Sequence, residues 1–185
     1  MEIQKVTCAL MAHITNITKK EGKGLAVPDR AGHFLLMFEG MAGGEYERVQ
    51  IDDRAGDGYY IRLKDGRVEE VKATNYKRGG CQDASRVTAK CRLVVQSEKD
   101  SIAVLAHNFR GAIASFKAAQ LPGGVFMVSA SVRTVVYDFT TIFFEETTLS
   151  EREGGSGWEG HMQLVAIDFE INFTLEGCGQ PTQIC

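Results

Sequence analysis

The strongest constraint on the fold is an alternation of apolar and polar side chains near the end of the sequence. Between residues 165 and 175 every second side chain is large and apolar: Val165, Ile167, Phe169, Ile171, Phe173 and Leu175. Four of the positions between them are polar: Asp168, Glu170, Asn172 and Thr174. Because successive side chains of a β-strand point to opposite faces, this pattern predicts a long antiparallel strand with one buried and one solvated face.

Two earlier segments are also typical of strands. Residues 86–96 alternate in the same way, with apolar side chains on one face and Thr88, Lys90 and Arg92 on the other. β-Branched and aromatic side chains are frequent from residue 125 to residue 148. We therefore predict that residues 125–148 and 163–175 form an extended late β-hairpin.

An Asp-Gly dipeptide predicts a second, tighter hairpin. Asp65 and Gly66 lie between two runs with strand character, 59–64 and 67–72. The two central residues of a type I′ turn need positive φ, and Asp-Gly is among the pairs that tolerate this best. The expected result is that 59–64 and 67–72 fold back on each other.

Two amphipathic helices are predicted. The first covers 2–20, where one stripe is apolar: Ile3, Val6, Leu10, Ile14 and Ile17. The second covers 101–119, begins at a cap formed by Asp100 or Ser101, and has its own apolar stripe: Ile102, Leu105, Phe109, Ile113 and Phe116. The run 122–124 (Pro-Gly-Gly) is expected to end this second helix.

These elements predict one α+β domain over residues 1–185. The length of 185 residues suits one domain, and the 44% hydrophobic content is enough for a sizeable core. We expect a mostly antiparallel sheet with the two amphipathic helices packed on one face, and the extended late β-hairpin. The Gly- and Ser-rich segment 150–162 is expected to be a mobile or docking loop. It carries the only tryptophan, Trp158, which either folds back on the domain or docks into a partner.

No motif for catalysis, a cofactor or a metal stands out. The chain has no phosphate-binding loop, dinucleotide fingerprint or nucleophile elbow, and its histidines lack metal-ligand spacing. A pair formed by Cys91 and His107 is one nucleophilic alternative. Glu145 and Glu146 are not expected to act as an acid–base dyad, since adjacent residues of a strand point to opposite faces. We therefore expect a protein that is not an enzyme and that binds no cofactor or metal.

The cysteines and the hydropathy profile bear on the compartment. The chain has an odd number of cysteines and no CxxC pair: Cys8, Cys81, Cys91, Cys178 and Cys185. This usage favours a reduced, intracellular protein, with a Cys178–Cys185 link as the alternative. No run of about 18 apolar residues is present, so no membrane span is expected.

Charge is divided unevenly along the chain. The net charge is only −3, but segment 67–92 carries net +4 and segment 138–176 carries net −8. One interpretation is that the acidic surface of one copy meets the basic surface of the next. Weak contact of the basic segment with DNA phosphates, or ordinary solvated faces, are the alternatives. The residues predicted to contact a partner or another copy are Trp158, Arg152, Glu145, Glu146, Lys77, Arg78, Arg86, Lys90 and Arg92.

The order of elements resembles a family of phage structural proteins. In chain order there are an amphipathic helix (2–20), a β region with the Asp65-Gly66 turn, a mid-chain helix (101–119) and long late strands (125–148, 163–175). This order, with the closing stretch from Leu164 to Leu175, is similar to that of the tail terminator and neck proteins of tailed bacteriophages. Those are small α+β subunits that form rings at the head–tail junction.

The resemblance implies a structural, non-enzymatic virion protein that is assembled in the host cytoplasm. It implies a homo-oligomeric ring, for which a hexamer is one stoichiometry, with neighbouring virion proteins as partners and passing contact with DNA. The first alternative is a tail tube or baseplate subunit. The second is a small intracellular enzyme or ligand-binding domain with a pocket between the second helix and the sheet.

Overall fold

A computed structural model gives the fold. It describes residues 2–28, 34–37, 47–48, 57–73, 84–147 and 162–176. The helices and strands in these residues are, in chain order, α1 (Glu2–Thr18), β1 (Gly22–Pro28), β2 (Phe34–Met37), β3 (Glu47–Arg48), β4 (Gly58–Ala73), β5 (Ala84–Ser97), α2 (Ile102–Ser115), β6 (Lys117–Leu121), β7 (Val125–Val136), α3 (Phe139–Glu146) and β8 (Gln163–Glu176). The predicted α+β class is confirmed.

All the described strands belong to one sheet, in the order β3-β2-β1-β4-β5-β8-β7-β6. Only the β1–β4 pair is parallel among the described neighbours, and the other pairs are antiparallel. The two alternating segments of the sequence, β5 and β8, pair along their whole length, from Ala84 opposite Glu176 to Ser97 opposite Gln163. They form the centre of the sheet.

The inner face of the sheet carries the main core. This face consists of the apolar set of β5 and β8, with Tyr59 and Ile61 of β4 and Val125, Val128 and Ala130 of β7. Helices α1 and α2 both pack on it, through Leu10 and Ile14 of the first and Phe109 and Ile113 of the second, which are all buried. Burial of apolar area stabilises the fold by roughly 25 cal/mol per Å², so this layer is its principal stabilising contact.

Helix α2 begins as predicted but ends earlier. Ser101 is its N-cap and accepts a hydrogen bond from the backbone N–H of Val104. The helix ends at Ser115, and the chain then forms β6, which pairs with β7 as a hairpin. Gly123 and Gly124, with φ of 86° and 74°, form the turn of this hairpin. The glycines that were expected to end a helix therefore connect two strands instead, because only glycine adopts such φ values without strain.

The hairpin predicted at Asp65-Gly66 is wrong. Both flanking runs belong to the single strand β4, which continues along β5 in one direction. Leu63 lies opposite Cys91 and Val68 lies opposite Ala89. Between these two pairs, β4 has the four residues 64–67, whereas β5 has only Lys90. The dipeptide therefore lies in a bulge. Alternating runs on both sides of Asp-Gly fit either a hairpin turn or a bulge within one strand. The bulge lets the whole of β4 pair with β5, which gives more hydrogen bonds between strands.

The strand predicted over 139–148 is also wrong, because residues 139–146 form the helix α3. Asp138 caps this helix by accepting hydrogen bonds from the backbone N–H and the hydroxyl of Thr141, both at 2.7 Å. The late strand ends at Val136, so the late hairpin consists of β7 and β8 alone. The aromatic and β-branched residues of α3 also fit a helical period, with Phe139, Ile142 and Phe143 on one side.

Helix α3 packs on the outer face of the sheet, opposite to α1 and α2. It covers a second, smaller apolar cluster on that face: Ala26, Tyr60, Val94, Leu164 and Ala166. Two helices therefore lie on one face, as predicted, and a third helix that the sequence did not predict lies on the other.

Candidate functional site: a buried ion network and an open sheet face

Three charged residues form a row across the outer face beneath α3. Arg62 of β4 lies opposite Arg92 of β5, and Arg92 lies opposite Asp168 of β8. All three are buried. Two arginines directly opposite each other on neighbouring strands repel, so this row needs further negative charge. Helix α3 supplies it.

Glu146, at the end of α3, neutralises the arginine pair. Its side chain has no exposed surface, and both of its oxygens bind Arg62, with Nε to Oε2 at 2.8 Å and Nη2 to Oε1 at 2.7 Å. The Tyr60 hydroxyl donates to Oε2 at 2.9 Å, and Nη1 of Arg92 is 3.4 Å from Oε1. Paired hydrogen bonds of this kind between a guanidinium and a carboxylate are strong and fix orientation.

Arg92 connects the remaining members of the network. Its Nε donates to Oδ1 of Asp168 at 2.6 Å and its Nη2 donates to Oδ2 at 3.1 Å. Its Nη1 also pairs with Glu145, the residue before Glu146. Lys64 of β4 completes the group, with Nζ 2.5 Å from Oδ2 of Asp168. We call these six charged side chains the ion network: Arg62, Lys64, Arg92, Glu145, Glu146 and Asp168.

The titration behaviour of the network follows from burial and pairing. Burial alone would lower the pKa of Arg92 and raise that of Asp168. The hydrogen bonds between the two, with those from Glu145 and Lys64, outweigh burial, so the pKa of Arg92 is raised and that of Asp168 is lowered. Burial and the neighbouring carboxylate of Glu146 raise the pKa of Tyr60 well above its ordinary value. Arg92 and Asp168 are therefore held in their charged forms and Tyr60 in its neutral form.

The network is suited to holding α3 on the sheet rather than to catalysis. Three positive and three negative side chains balance, and a guanidinium, which stays protonated in proteins, does not serve as a general acid or base. The expectation that Glu145 and Glu146 point to opposite faces is wrong, because both lie in the last turn of a helix and both reach Arg92. They still form no acid–base dyad, since arginines bind both carboxylates.

The predicted contact residues fall into three groups. Arg92 and Glu146 were predicted to contact a partner, but their side chains are buried, with 3% and 0% exposed. Neither is therefore accessible to a partner. Glu145, Arg86 and Lys90 are exposed. The other predicted contact residues lie outside the described part of the chain: Lys77, Arg78, Arg152 and Trp158. The alternative disulfide between Cys178 and Cys185 lies outside it as well.

Some of the opposite charges in the basic and acidic segments pair with each other within one chain. Strand β5, from the basic segment, pairs directly with β8, from the acidic segment. The two segments contribute Arg92, Asp168 and Glu146 to the ion network, where their charges compensate each other. The division of charge alone is therefore a weaker argument for self-association than the sequence implied.

A nucleophilic pair of Cys91 and His107 is excluded by their positions. The Cys91 side chain faces the inner core, is 1% exposed, and donates only a weak hydrogen bond to the backbone oxygen of Ala89 at 3.8 Å. Burial raises its pKa to about 12. His107 is exposed on α2. A thiol with such a pKa is not a nucleophile near neutral pH.

We expect Cys91 to resist alkylation in the native protein. A pKa of about 12 against the ordinary 9.0 lowers its thiolate fraction at pH 8 by about a thousandfold. Iodoacetamide treatment followed by peptide mass mapping should leave Cys91 unmodified in buffer and modify it fully in urea. Half-exposed Cys8 is the comparison within the same chain. Rapid native labelling of Cys91 would show that the core around it opens.

A second polar cluster joins the beginning of β4 to the end of β5. Nζ of Lys20 lies 2.5 Å from Oδ2 of Asp57, 2.7 Å from Oδ2 of Asp100 and 3.0 Å from Oγ of Ser97. Burial would lower the pKa of Lys20, but hydrogen bonds to the two carboxylates raise it overall. A protonated Lys20 cannot accept a proton from Ser97, so this cluster holds the chain together and is not a serine–lysine catalytic pair.

The outer face is covered by α3 at only one end. We call the other end the open half: Arg86, Thr88 and Lys90 of β5, Glu170, Asn172 and Thr174 of β8, and Ser129 and Ser131 of β7. Each of these side chains is exposed or half-exposed. The open half contains a recess of about 280 Å³ lined by Arg86, Met127, Ser129, Asn172, Phe173 and Thr174.

Sequence reasoning singled out Arg86, Lys90 and Arg92 but missed Tyr60, Arg62, Lys64 and Asp168. Of these, Asp168 carried a usable signal, because it is an acidic residue within an otherwise regular strand. Tyr60, Arg62 and Lys64 carried no such signal, since the network depends on strand register and on the position of α3.

The described residues contain no candidate metal site and no candidate membrane-spanning helix. No group of three or more His, Cys, Asp or Glu side chains within 2–28, 57–73, 84–147 and 162–176 is arranged to hold a metal ion. None of the helices in the described part of the chain combines the length and the apolar composition that a membrane crossing requires.

No protein-family model and no curated protein matches this chain.

Proposed function

We propose that the chain is a structural subunit of a tailed-bacteriophage virion, which forms a homo-oligomeric ring at the head–tail junction as a tail terminator or neck protein. Neighbouring virion proteins are its partners, and the finished protein resides in the virion. The proposal starts from the resemblance in element order described above. Helix α1, the central antiparallel strands, α2 and the late strands β7 and β8 follow in that order, but the single strand β4 replaces the expected hairpin and α3 lies between β7 and β8.

The observation that carries the proposal is the open half of the outer face. Strands β5 and β8 are each 14 residues long, about 45 Å, whereas α3 has eight residues and is about 12 Å long. Much of a continuous sheet face is thus left to polar and charged side chains in a broad surface. A surface of this kind suits contact with another protein better than it suits binding a small molecule, which needs a concave and mostly apolar pocket.

The mass of the native particle tests the proposal. Purified chain is expected to form a closed ring of uniform size, measured by native mass spectrometry and seen in negative-stain images. A tail tube subunit would instead give open-ended stacks of variable length. The proposal is contradicted if the chain stays monomeric at about 100 µM and also remains so alongside phage neck and tail proteins.

A ligand-binding domain is the second candidate, and one cavity favours it. A cavity of about 350 Å³ lies between α1 and the beginning of β1, with Thr7, Cys8, Met11, Gly22 and Leu25 among its lining residues. Its walls are mostly apolar, which suits a small apolar molecule. It is not the pocket that the sequence alternative required, which was placed between α2 and the sheet and included Cys91 or His107.

A further inference from the structure

The recess on the open half is lined by hydrogen-bond donors. The hydroxyl of Thr88 donates to Oδ1 of Asn172 at 2.9 Å, which leaves the amide NH₂ of Asn172 as a donor. Ser129 and Thr174 add hydroxyl groups, and Arg86 adds a guanidinium. The other charged residues of the open half are paired, Lys90 with Glu69 at 3.7 Å and Glu170 with Arg133 at 2.5 Å. Arg86 forms no ion pair with any described residue, so the recess favours an acidic partner.

Met127 adds an apolar wall and a sign of strain. It sits in a bulge of β7, where Phe126 lies opposite Thr174 and Ser129 opposite Asn172. Its φ is 51°, a conformation that side chains other than glycine rarely adopt, and its side chain is 64% exposed. Such strain destabilises the fold and concentrates at sites with a function. Here the bulge places a large apolar side chain in solvent at the margin of a basic recess.

The outward surface of α3 has the complementary chemistry. Phe144 of α3 is 51% exposed, and Tyr137, which precedes the cap of this helix, is 52% exposed. Of the acidic residues in segment 137–147, Glu146 is buried in the ion network, whereas Asp138 and Glu145 are exposed, and the segment has no basic residue. Glu145, next to Phe144, is 47% exposed even though it also pairs with Arg92. This surface combines large aromatic groups with negative charge, whereas the recess combines Met127 with Arg86.

One chain cannot bring its own α3 to its own recess. The ion network holds the end of α3 at Asp168, and the recess lies at Asn172 and Thr174, four to six residues further along the same strand. At about 3.3 Å per residue the separation is roughly 13–20 Å. The contact must therefore be made between two copies.

We propose that the recess of one copy binds the outward surface of α3 of a second copy, with Phe144 against Met127 and the acidic end of the helix facing Arg86. This proposal rests on the proposed function and names the contact that would build the ring. The surfaces that meet are different, so the contact is head-to-tail and leaves a free recess on one side and a free α3 on the other. Repetition of such a contact closes a ring when the rotation between successive copies closes, and gives an open filament when it does not.

Single substitutions on each side of the contact test the proposal in the full chain. Arg86→Glu and Phe144→Ala are each expected to raise the dissociation constant of the assembly at least about tenfold, measured by sedimentation or mass photometry. Arg110→Glu and Ile17→Ala make the same kinds of change at exposed positions of α2 and α1, and should leave the mass unchanged. Met127→Gly should weaken assembly and preserve or raise thermal stability, because glycine removes the strain.

Mixing the variants tests the head-to-tail geometry. Arg86→Glu keeps an intact α3 and Phe144→Ala keeps an intact recess, so one native contact per pair can form when the two are mixed. The mixture should give heterodimers, although neither variant assembles alone. In a symmetric contact each copy would contribute both its recess and its α3. Every pair of variants would then keep two altered surfaces, so mixing would give no such rescue.

Crosslinking locates the contact without relying on loss of assembly. Benzoylphenylalanine at position 144 is expected to give, on illumination, an intermolecular crosslink that maps to Met127. If the wild-type chain assembles but both variants assemble equally well, this inference is wrong and the proposed function stands. Crosslinks elsewhere, crosslinks within one chain, or an Arg86→Glu defect limited to DNA binding also overturn it. A wild-type chain that never assembles contradicts the proposed function as well.

Discussion

Replacing Arg92 with methionine is expected to lower the free energy of unfolding by about 3 kcal/mol. Removing one member of a buried ion pair typically costs about 3–5 kcal/mol, because the other charge is left without compensation. The cost here is expected at the lower end, because Lys64 still pairs with Asp168 and Arg62 still pairs with Glu146. Urea denaturation followed by circular dichroism measures the difference.

The matched control for Arg92→Met is Arg133→Met. Arg133 also pairs with a carboxylate on β8, Glu170, at 2.5 Å, but its side chain is 59% exposed. Exposed pairs contribute little to stability, so Arg133→Met should lower the free energy of unfolding much less than Arg92→Met does. Both substitutions remove one guanidinium from the same face of the sheet. Their difference therefore isolates the effect of burial.

A double substitution separates the charge effect from the packing effect. Arg92→Met combined with Asp168→Leu removes the pair together and leaves Lys64 and Glu145 exposed to water, 42% and 47% respectively. Replacing both charges of a buried pair with apolar groups is often neutral or stabilising. The double variant should therefore be more stable than Arg92→Met alone. If Arg92→Met costs less than 1 kcal/mol, the network does not hold α3, and hydrogen exchange at 139–146 should then be unchanged.

The parts of the fold that could be predicted from sequence are those with a local period. Strands β5 and β8 alternate along their length, and α1 and α2 have stripes at helical spacing, so each was located to within a few residues. The caps also acted locally, as Ser101 shows for α2. These patterns depend on one face of one element, and any compact α+β arrangement preserves them.

The predictions that were wrong concern segments whose sequence pattern fits two different structures. Asp65-Gly66 fits a turn or a bulge, and only the length of the β5 partner favours the bulge. Residues 139–146 fit a strand or a helix, and the cap at Asp138 with the apolar cluster beneath it favours the helix. In each case tertiary contacts outweighed local preference.

The ion network could not be predicted, because it depends on register. Arg62, Arg92 and Asp168 are 30 and 76 residues apart in sequence, and only the β4–β5–β8 pairing brings them into one row. Their opposite charges appeared in the sequence as two segments that attract each other. The sequence does not say whether such attraction acts within a chain or between chains. In the structure, part of this attraction acts inside the chain, between Arg92 and the carboxylates of Glu146 and Asp168, whereas Arg86 lies exposed on the open half.

Truncating Phe109 to alanine is expected to have the largest effect of any single substitution in α2, lowering the free energy of unfolding by about 3–5 kcal/mol. Phe109 is 1% exposed and packs edge-on against Tyr59, with ring centroids 5.2 Å apart. Tyr59 is itself held by hydrogen bonds, from its hydroxyl to the Met11 carbonyl at 2.8 Å and with the Thr15 hydroxyl at 2.8 Å. The surroundings are thus poorly able to collapse into the space left by the ring.

The same substitution discriminates between functions. An enzyme or ligand-binding domain with its pocket between α2 and the sheet would have a partly empty interface there, and loss of the ring would cost little. Val104→Ala is the control, since Val104 lies on the same helix but is 45% exposed, and a change within about 0.5 kcal/mol is expected. If Phe109→Ala costs less than about 1 kcal/mol, the α2 interface is not a close-packed core, and a binding pocket there regains support. A cost of several kcal/mol means that α2 is part of the scaffold and that no binding pocket lies between α2 and the sheet.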